Sequence, residues 1–295
     1  MPTRPAVVTT AGVLLGMTAL VLTTAPAHAA PQQEQSSRPP VTVGHRGASG
    51  YAPENTLAAV DKADKLGIRW VETDVQRTKD NKLVVLHDTS LERTTNAEKV
   101  YPDRAPWSVG DFTLKEIKRL DAGRWFSEDY TGEKVPTLKQ WLARVAKHHQ
   151  RQLLELKSPE LYPGIALQTL NELRADGWLD REHVRKKLIV QSFNAQAVRS
   201  VHTLAPEVRT GFLGNPKTSE LADYAQFSDQ INPTHTKASK SYVRAVHAHK
   251  GPNGKPMQVF TWTVNDAKTA KTVDAAGVDG IISNFPDIVH KQTHG

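Results

Sequence analysis

Short apolar runs alternate with longer amphipathic stretches over most of the chain. The runs are rich in Val, Ile and Leu, as buried parallel strands are, and the stretches repeat apolar residues at helical spacing. The pattern predicts strands over 41–44, 68–75, 152–156, 188–190, 210–213, 230–232, 258–264 and 280–282. It predicts helices over 56–66, 113–120, 138–148, 164–175, 195–204, 219–225, 240–249, 266–276 and 286–291. The residues predicted to cap helices are Asn55, Thr137, Asn194 and Asn265.

The regular alternation of strands and helices predicts an α/β fold with a parallel sheet and helices outside it. Eight strands are the number that closes a TIM (β/α)8 barrel. An open doubly wound sheet is the alternative, and it would normally carry a glycine-rich phosphate loop after its first strand. Gly44-His45-Arg46-Gly47 follows the first strand here and is not such a loop, which favours the barrel.

A further apolar run over 83–86 follows Thr78-Lys79-Asp80-Asn81, a polar tetrapeptide typical of a turn. If this turn closes a hairpin, its register pairs residue 72 with residue 87, so that His87 lies opposite Glu72. Asp74 lies on the same face because it is two residues further along the strand. If the run is instead a parallel barrel strand, the three groups still meet at its C-terminal end.

The segment over 89–135 lacks a clear period and is rich in aromatic residues. It is too long for a simple loop, so we predict a small inserted subdomain or lid with a core of its own. The barrel domain that contains this insertion is predicted to span 41–295.

Residues 1–29 have the pattern of a secretory signal peptide. Arg4 is the single charge before an apolar run over 7–22, and Ala27-His28-Ala29 fits a cleavage site. An N-terminal membrane anchor is the alternative, but the strongly apolar part is short for a span. The polar, proline-rich segment over 30–40 is predicted to be a disordered linker. We therefore expect a secreted protein without stable membrane insertion.

Composition narrows the chemistry further. The chain has 295 residues and no cysteine, which excludes disulfides, thiolate metal sites and a cysteine nucleophile. Its formal net charge is +7, and removal of Arg4 with the signal peptide gives +7 − 1 = +6. A basic protein attracts anionic ligands. The lysines and arginines are scattered and no nucleic-acid motif is present, so we expect no DNA or RNA binding.

Three carboxylates stand at or near predicted strand ends, namely Glu72, Asp74 and Glu155. If they converge, their mutual repulsion calls for a cation, and oxygen ligands suit Ca²⁺ or Mg²⁺. The alternative is that they form ion pairs with neighbouring arginines or lysines, such as Glu155 with Lys157.

His45 and His87 each follow an apolar strand, and two histidines beside such a site suit acid–base chemistry near neutral pH. Their alternative role is that of hydrogen-bonded or merely exposed histidines. Arg46 and Lys157 are suited to binding phosphate oxygens or to balancing the carboxylates. Trp262, at the end of a predicted strand, is expected to pack in the barrel mouth or line an apolar side of the substrate.

Ordered motifs from His45 to Pro286 resemble those of the glycerophosphodiester phosphodiesterases. The matching segments are His45-Arg46-Gly47, Pro53-Glu54-Asn55-Thr56, Glu72-Thr73-Asp74-Val75, Val84-Val85-Leu86-His87-Asp88, Arg93-Thr94-Thr95, Leu120-Asp121-Ala122-Gly123, Trp125-Phe126, Pro136-Thr137-Leu138, Glu155-Leu156-Lys157, Gln191-Ser192-Phe193, Trp262-Thr263-Val264-Asn265 and Asp279-Gly280-Ile281-Ile282. Thr73 departs from the apolar or aromatic residue that is usual between the two acidic positions, and it should point away from the site.

The resemblance implies a TIM barrel with an inserted subdomain and hydrolysis of glycerophosphodiesters to sn-glycerol 3-phosphate and an alcohol. It implies that His45 and His87 are the acid–base pair. The residues implied to bind the divalent cation are Glu72, Asp74 and Glu155, and those implied to contact substrate are Arg46, Lys157 and Trp262. The family mechanism implies attack by the glycerol 2-hydroxyl on phosphorus, followed by opening of a cyclic phosphate by water.

Two other functions are compatible with the sequence. The related phospholipase D toxins act on sphingomyelin or lysolipids, but they usually carry disulfides and lack so long an insertion. A non-catalytic protein that binds a teichoic-acid-like wall polymer is the second alternative, and the intact set of candidate catalytic residues argues against it. Such a polymer is also a conceivable substrate, beside small glycerophosphodiesters.

Overall fold

The structure is a computed structural model that describes residues 6, 8–12 and 38–295. The chain divides into two compact units, Met1–Gln35 and Ser36–Gly295, and the second holds the strands and helices of the described part of the chain. The signal-peptide prediction over 1–29 and most of the linker prediction over 30–40 therefore fall largely outside the described residues. No helix within the described ranges has the length and apolar character that a membrane crossing requires.

Eight parallel strands close into a barrel, and a further strand extends it as a hairpin. In chain order the strands are β1 (Val41–Gly44), β2 (Trp70–Arg77), β3 (Leu83–Val85), β4 (Arg151–Leu156), β5 (Leu188–Ser192), β6 (Arg209–Leu213), β7 (Gln230–Asn232), β8 (Gln258–Thr261) and β9 (Gly280–Ser283). The barrel order is β1-β2-β4-β5-β6-β7-β8-β9, with β9 pairing back to β1 and every pairing parallel. The predicted TIM barrel is confirmed.

Most helices follow the barrel strands and cover their outer face, and the two that fall within residues 97–117 belong to the insertion. They are α1 (Leu57–Lys65), α2 (Ala97–Val100), α3 (Leu114–Ile117), α4 (Leu138–Lys147), α5 (Ile165–Ala175), α6 (Ala195–Leu204), α7 (Leu221–Tyr224), α8 (Lys240–His247), α9 (Ala267–Ala276) and α10 (Pro286–His294). Short 3₁₀ turns lie at Pro102–Arg104, Val109–Asp111, Glu128–Tyr130, Pro159–Leu161, Thr218–Glu220 and His235–Lys237, and a π-helical turn lies at His183–Lys187.

Most predicted element ends lie within two residues of the observed ones. Larger differences occur where β8 ends at Thr261 instead of residue 264, where α10 continues to His294, and where α3 is shorter than predicted. The predicted caps at Thr137 and Asn194 are confirmed, since each side chain accepts a hydrogen bond from its helix N-terminus.

The barrel interior is apolar toward the N-terminal ends of the strands and polar toward their C-terminal ends. An inward-facing cluster fills its apolar part, formed by Val43, Trp70, Leu153, Ile189, Phe260 and Ile282. Because strand side chains alternate between faces, the residue two positions further along points the same way. On β2, β4 and β5 those residues are Glu72, Glu155 and Gln191, which lie at the C-terminal end of the barrel.

The insertion over 89–135 packs around its own apolar cluster. Phe112, Ile117 and Leu120 are fully buried there, together with Val84 and Leu86 from the β3 strand and the residues after it. The hairpin and the insertion therefore form one packed unit beside the barrel mouth.

Candidate active site

Three buried carboxylates meet at the C-terminal ends of β2 and β4. Glu72 and Asp74 project from β2, Glu155 projects from β4, and the parallel register sets Asp74 beside Glu155. The three residues are at most 6% exposed, and one oxygen of each lies within 4.8 Å of an oxygen of the others. The structure thus brings the three predicted ligands together.

This arrangement fits a hard divalent cation. Burial and the neighbouring Asp74 carboxylate raise the pKa of Glu155 to about 8, and the same two causes raise the pKa of Glu72 well above its usual value. Oε1 of Glu155 lies 3.0 Å from the Lys157 ammonium, yet it is buried without an aligned hydrogen bond. Clustered carboxylate oxygens that are not fully neutralised by neighbouring cations are the ligands that Ca²⁺ and Mg²⁺ bind in proteins.

Arg46 contacts two of the three carboxylates from the loop after β1. Its backbone N–H donates to Glu72 Oε2 at 2.8 Å, and its Nε lies 3.5 Å from Asp74 Oδ2. Burial alone would raise the pKa of Asp74, but Arg46 and the more distant cations lower it below its usual value. Asp74 is therefore the triad member held most firmly in its charged form.

Asn55 binds Asp74 and does not cap α1, so the predicted role of Asn55 is wrong. Its Nδ2 donates to Asp74 Oδ2 at 2.9 Å, and its Oδ1 accepts from the Thr73 hydroxyl at 3.0 Å. The neighbouring Thr56 caps α1 instead, with its hydroxyl accepting from the Ala59 N–H. The same shift occurs at α9, where Asp266 is the cap and Asn265 is not.

His45 lies directly after β1 with its two nitrogens in different surroundings. Nδ1 is 2.6 Å from the Oδ1 of Asn284, while Nε2 is 4.0 Å from Glu72 Oε2. An amide oxygen can only accept, so Nδ1 carries the proton and Nε2 is left with its lone pair. Burial, reinforced by Arg46, lowers the pKa of His45 to about 4.

His87 lies two residues beyond β3 and reaches the site from the insertion side. Nδ1 is 2.6 Å from Asp88 Oδ1, and Nε2 is 2.9 Å from the Nζ of Lys157. Because an ammonium group only donates, Nε2 is the acceptor and the Nδ1–H donates to Asp88. Lys157 also lies 3.7 Å from Asp74 Oδ1, so this lysine links His87 to the carboxylates.

The predicted hairpin exists, but its predicted register is wrong by one residue. Val75 pairs with Val85 and Arg77 with Leu83. A register that sets residue 87 opposite residue 72 would instead pair Val75 with Val84 and Arg77 with Lys82. The turn closes through a hydrogen bond from the Thr78 N–H to the Lys82 carbonyl, with Asn81 at φ +58°. An asparagine that adopts the left-handed conformation adds one residue to the loop.

A buried glutamine holds the chain that carries His87. The amide nitrogen of Gln76 lies 2.8, 3.2 and 2.7 Å from the carbonyl oxygens of Leu86, His87 and Asp88. The Gln76 oxygen accepts from the Tyr162 hydroxyl at 2.9 Å. His87 is thus placed by this clamp and by Lys157, since the β2–β3 ladder ends before it.

These groups surround a pocket of about 420 Å³, which includes space open to solvent. Its lining residues are His45, Arg46, Glu72, His87, Glu155, Lys157, Gln191, Phe193, Leu213, Trp262, Thr263 and Ile282. All predicted site residues line it except Asp74, which contacts Arg46 and Asn55. Part of the lining is charged and part is apolar, where Phe193 and Trp262 are in edge-to-face contact at 5.4 Å and Lys157 Nζ lies 5.5 Å from the Phe193 ring centre.

Three residues with clear structural roles were missed from the sequence. Asn284 directly follows the last strand, β9. The rule that singled out His45, a polar residue directly after a strand, applies equally to Asn284. Asn55 stands next to Glu54 in a recognisable motif, but the local pattern favours a capping role for it. Gln76 carries no sequence signal, because its three partners depend on where the hairpin ends.

Comparison with known proteins gives consistent matches. The model of the glycerophosphoryl diester phosphodiesterase family matches residues 45–288. A glycerophosphodiester phosphodiesterase of Bacillus subtilis is 34% identical over 269 residues, which cover 86% of this chain and 87% of that protein. One from Caldanaerobacter subterraneus subsp. tengcongensis is 34% identical over 250 residues, which cover 84% of this chain and 95% of that protein. The structure of an Oleispira antarctica phosphodiesterase in complex with sn-glycerol-3-phosphate has a TM-score of 0.74 and 27% sequence identity. The match covers 87% of this chain and 98% of that one.

Proposed function

Because this chain belongs to the glycerophosphoryl diester phosphodiesterase family, we propose that it hydrolyses glycerophosphodiesters to sn-glycerol 3-phosphate and an alcohol. The observation that carries the proposal is a pocket that joins a buried carboxylate triad, two histidines and two cationic side chains. The substrate that this pocket suits is a small glycerophosphodiester. The family match favours this function over the phospholipase D and wall-polymer alternatives.

In this proposal Glu72, Asp74 and Glu155 hold a divalent cation, either Ca²⁺ or Mg²⁺. When bound, the cation supplies positive charge that stabilises the phosphate and its transition state. Arg46 and Lys157 extend that positive field along the charged part of the lining, and Trp262 with Phe193 forms its apolar part. The substrate therefore lies with its phosphate toward the carboxylate edge and its apolar face toward the aromatic pair.

The first chemical step is transfer of phosphorus to the glycerol 2-hydroxyl. Lys157 turns from His87 Nε2 to the bound phosphate, which frees the Nε2 lone pair to take the hydroxyl proton. The Nδ1–H is already donated to Asp88, and the Asp88 carboxylate stabilises the imidazolium that forms. The 2-oxygen bonds to phosphorus, the bond from phosphorus to the alcohol oxygen breaks, and protonated His45 gives its Nε2 proton to that oxygen. His45 is neutral without substrate, and the negative charge of the bound phosphodiester favours its protonated form.

The second step reverses the roles of the two histidines. His45, now neutral, takes a proton from water, and the water oxygen bonds to phosphorus of the cyclic phosphate. The bond to the glycerol 2-oxygen breaks, and His87 returns its proton to that oxygen. Both histidines regain their starting states, and the product is sn-glycerol 3-phosphate.

Two features of the chain outside this chemistry are also proposals. Residues 41–295 form the catalytic domain, with 89–135 inserted, which is supported by the separate apolar cluster of that segment. The protein is exported after cleavage near Ala29, supported by the N-terminal sequence pattern alone. N-terminal sequencing of protein from the culture medium of a producing bacterium tests the export proposal.

The proposed activity is tested by release of sn-glycerol 3-phosphate from glycerophosphocholine in the presence of Ca²⁺ or Mg²⁺. We expect EDTA to abolish turnover, and His45→Ala and His87→Ala each to lower kcat by about 10²–10⁴-fold, as removal of an acid–base group does. His290→Ala, on the exposed side of α10, is the matched control and should keep wild-type activity. Unchanged turnover in a folded His87→Ala variant would contradict the assignment.

A further inference from the structure

One arginine outside the pocket joins the two loops that carry the proposed catalytic groups. Arg93 donates from Nη1 and Nη2 to the two carboxylate oxygens of Glu54, at 2.9 and 2.7 Å. It also donates from Nε and Nη2 to the two oxygens of Asp88, at 2.6 and 3.0 Å. A single guanidinium group thus binds two carboxylates from different segments, each through both oxygens.

Each of those carboxylates in turn contacts a proposed active-site residue. Asp88 accepts from the Nδ1 of His87 at 2.6 Å, and Glu54 accepts from Nη1 of Arg46 at 2.8 Å. The five side chains form a continuous chain from His87 to Arg46. Arg93 is not among the residues that line the pocket, so it acts on the site through Asp88 and Glu54.

The geometry requires an arginine. A guanidinium group presents its donors in a fixed plane, which allows two bidentate contacts at once, whereas a lysine ammonium is a single point of charge. Arg93 itself lies in the insertion, and its guanidinium lies 5.9 Å from the ring centre of Trp125 further along that segment. Arg93 is therefore the point at which the β1 loop, the β3 loop and the insertion meet.

We propose that Arg93 is a positioning residue, which holds Asp88 against His87 and Glu54 against Arg46 so that the two loops keep one relative placement. This inference rests on the proposed function. Without Arg93, Asp88 and Glu54 lose their shared partner, and both carboxylates gain freedom to rotate away. A displacement of about 1 Å in a catalytic group can lower the rate by about 10²-fold.

The experiment compares Arg93→Ala, Arg93→Lys and Arg124→Ala with the wild type. Arg124 also lies in the insertion, but its ion pair is with the exposed Glu128, so Arg124→Ala is the matched control. We expect Arg93→Ala to lower kcat by about 10- to 100-fold with KM changed less than about twofold. Arg93→Lys should stay well below the wild type, and added guanidinium ion should restore part of the kcat of Arg93→Ala.

Three results would overturn the proposal. A rise in KM with kcat unchanged would mean that Arg93 binds substrate directly. Equal kinetics in Arg93→Ala and Arg124→Ala would remove its positioning role, and so would a loss of kcat that guanidinium ion does not restore. If the wild type itself releases no sn-glycerol 3-phosphate, the proposed function fails, and this result is distinct from those three. The Arg93 side chain is 44% exposed, which favours folding of its variants.

Discussion

Asn55 shows how one side chain takes a role that local sequence rules do not reveal. It stands before a helix, where asparagine is a common cap, and the adjacent Thr56 satisfies the same rule. The structure resolves this choice through a distant partner, because Asp74 is buried and needs a donor. Local pattern therefore locates the loop, whereas the hydrogen-bond partner depends on the closed barrel.

Replacing Asn55 tests this role at the residue scale. We expect Asn55→Ala to lower the free energy of unfolding by about 2–4 kcal/mol, because a buried carboxylate loses a hydrogen bond and alanine resists the positive φ of +57°. Asn55→Gly removes the same hydrogen bonds without the backbone strain, so it should fall between the wild type and Asn55→Ala. Urea unfolding followed by circular dichroism measures both. Equal loss in the two variants would assign the whole effect to the amide.

Several candidate site residues were predictable individually because they stand where an apolar strand ends. His45 and Glu155 are of this kind, whereas Glu72 is the third residue of β2, and parallel strands in one barrel bring these groups together. Asn284 obeys the same rule but has no charge, so chemistry alone did not single it out. What sequence does not provide is which nitrogen of His45 faces the pocket, since that depends on the Asn284 amide.

At the scale of elements, the hairpin shows the limit of counting residues. The turn was located correctly, and its predicted length was short by one, because the left-handed conformation of Asn81 is not encoded by polarity. A register change of one residue reverses the faces of a strand. His87 nevertheless lies in the pocket, because the strand ends at Val85 and the side chains of Gln76 and Lys157 then fix the position of His87.

The contact between α1 and α4 gives a pH-dependent prediction. Asp61 of α1 is paired with Arg144 of α4, and it lies 2.6 Å from the Nε2 of His148. Burial by itself raises the pKa of Asp61, but these partners lower it below its ordinary value. A lowered folded-state pKa means that the stabilisation is present above the unfolded pKa, about 3.9, and is lost as pH falls further.

Asp61→Asn should therefore lower the free energy of unfolding near neutral pH. The difference in this free energy between the variant and the wild type should become smaller as pH falls below about 4. Urea unfolding at several pH values from about 3 to about 7 measures this difference. Glu207→Gln, at an exposed turn position, should follow the wild-type profile throughout. A difference between Asp61→Asn and the wild type that stays constant with pH would show that the pair does not contribute through its charge.

At the scale of the whole molecule, strand count and direction were sufficient to predict the barrel. Eight short strands separated by helices leave few alternatives, and the sequence after β1, which is not a phosphate loop, excluded the commonest one. The internal organisation of the insertion was not predictable, because its short 3₁₀ turns and helices lack a period and are fixed by packing around Phe112.

Cation binding should stabilise the whole chain. A ligand that binds only the folded state at about 100 times its Kd adds about 2.7 kcal/mol. We therefore expect Ca²⁺ or Mg²⁺ to raise the thermal midpoint measured by calorimetry and EDTA to reverse the rise. Glu155→Gln should lose most of this response, whereas Glu160→Gln, exposed nearby in the loop after β4, should retain it. An equal rise in both variants would place the cation elsewhere.

The insertion leaves and rejoins the barrel at a single point. The Val85 N–H donates to the Pro136 carbonyl at 2.9 Å, and Val84 pairs with Thr137. The residues before and after the insertion are therefore hydrogen-bonded to each other. A segment with joined ends can lengthen or shorten cheaply, since doubling a flexible loop costs only about 0.6 kcal/mol. Its proposed tie to the reaction runs through Arg93, close to its start. Because the core of the segment also buries Val84 and Leu86 beside His87, changes in its length should be tolerated only where they leave that core in place.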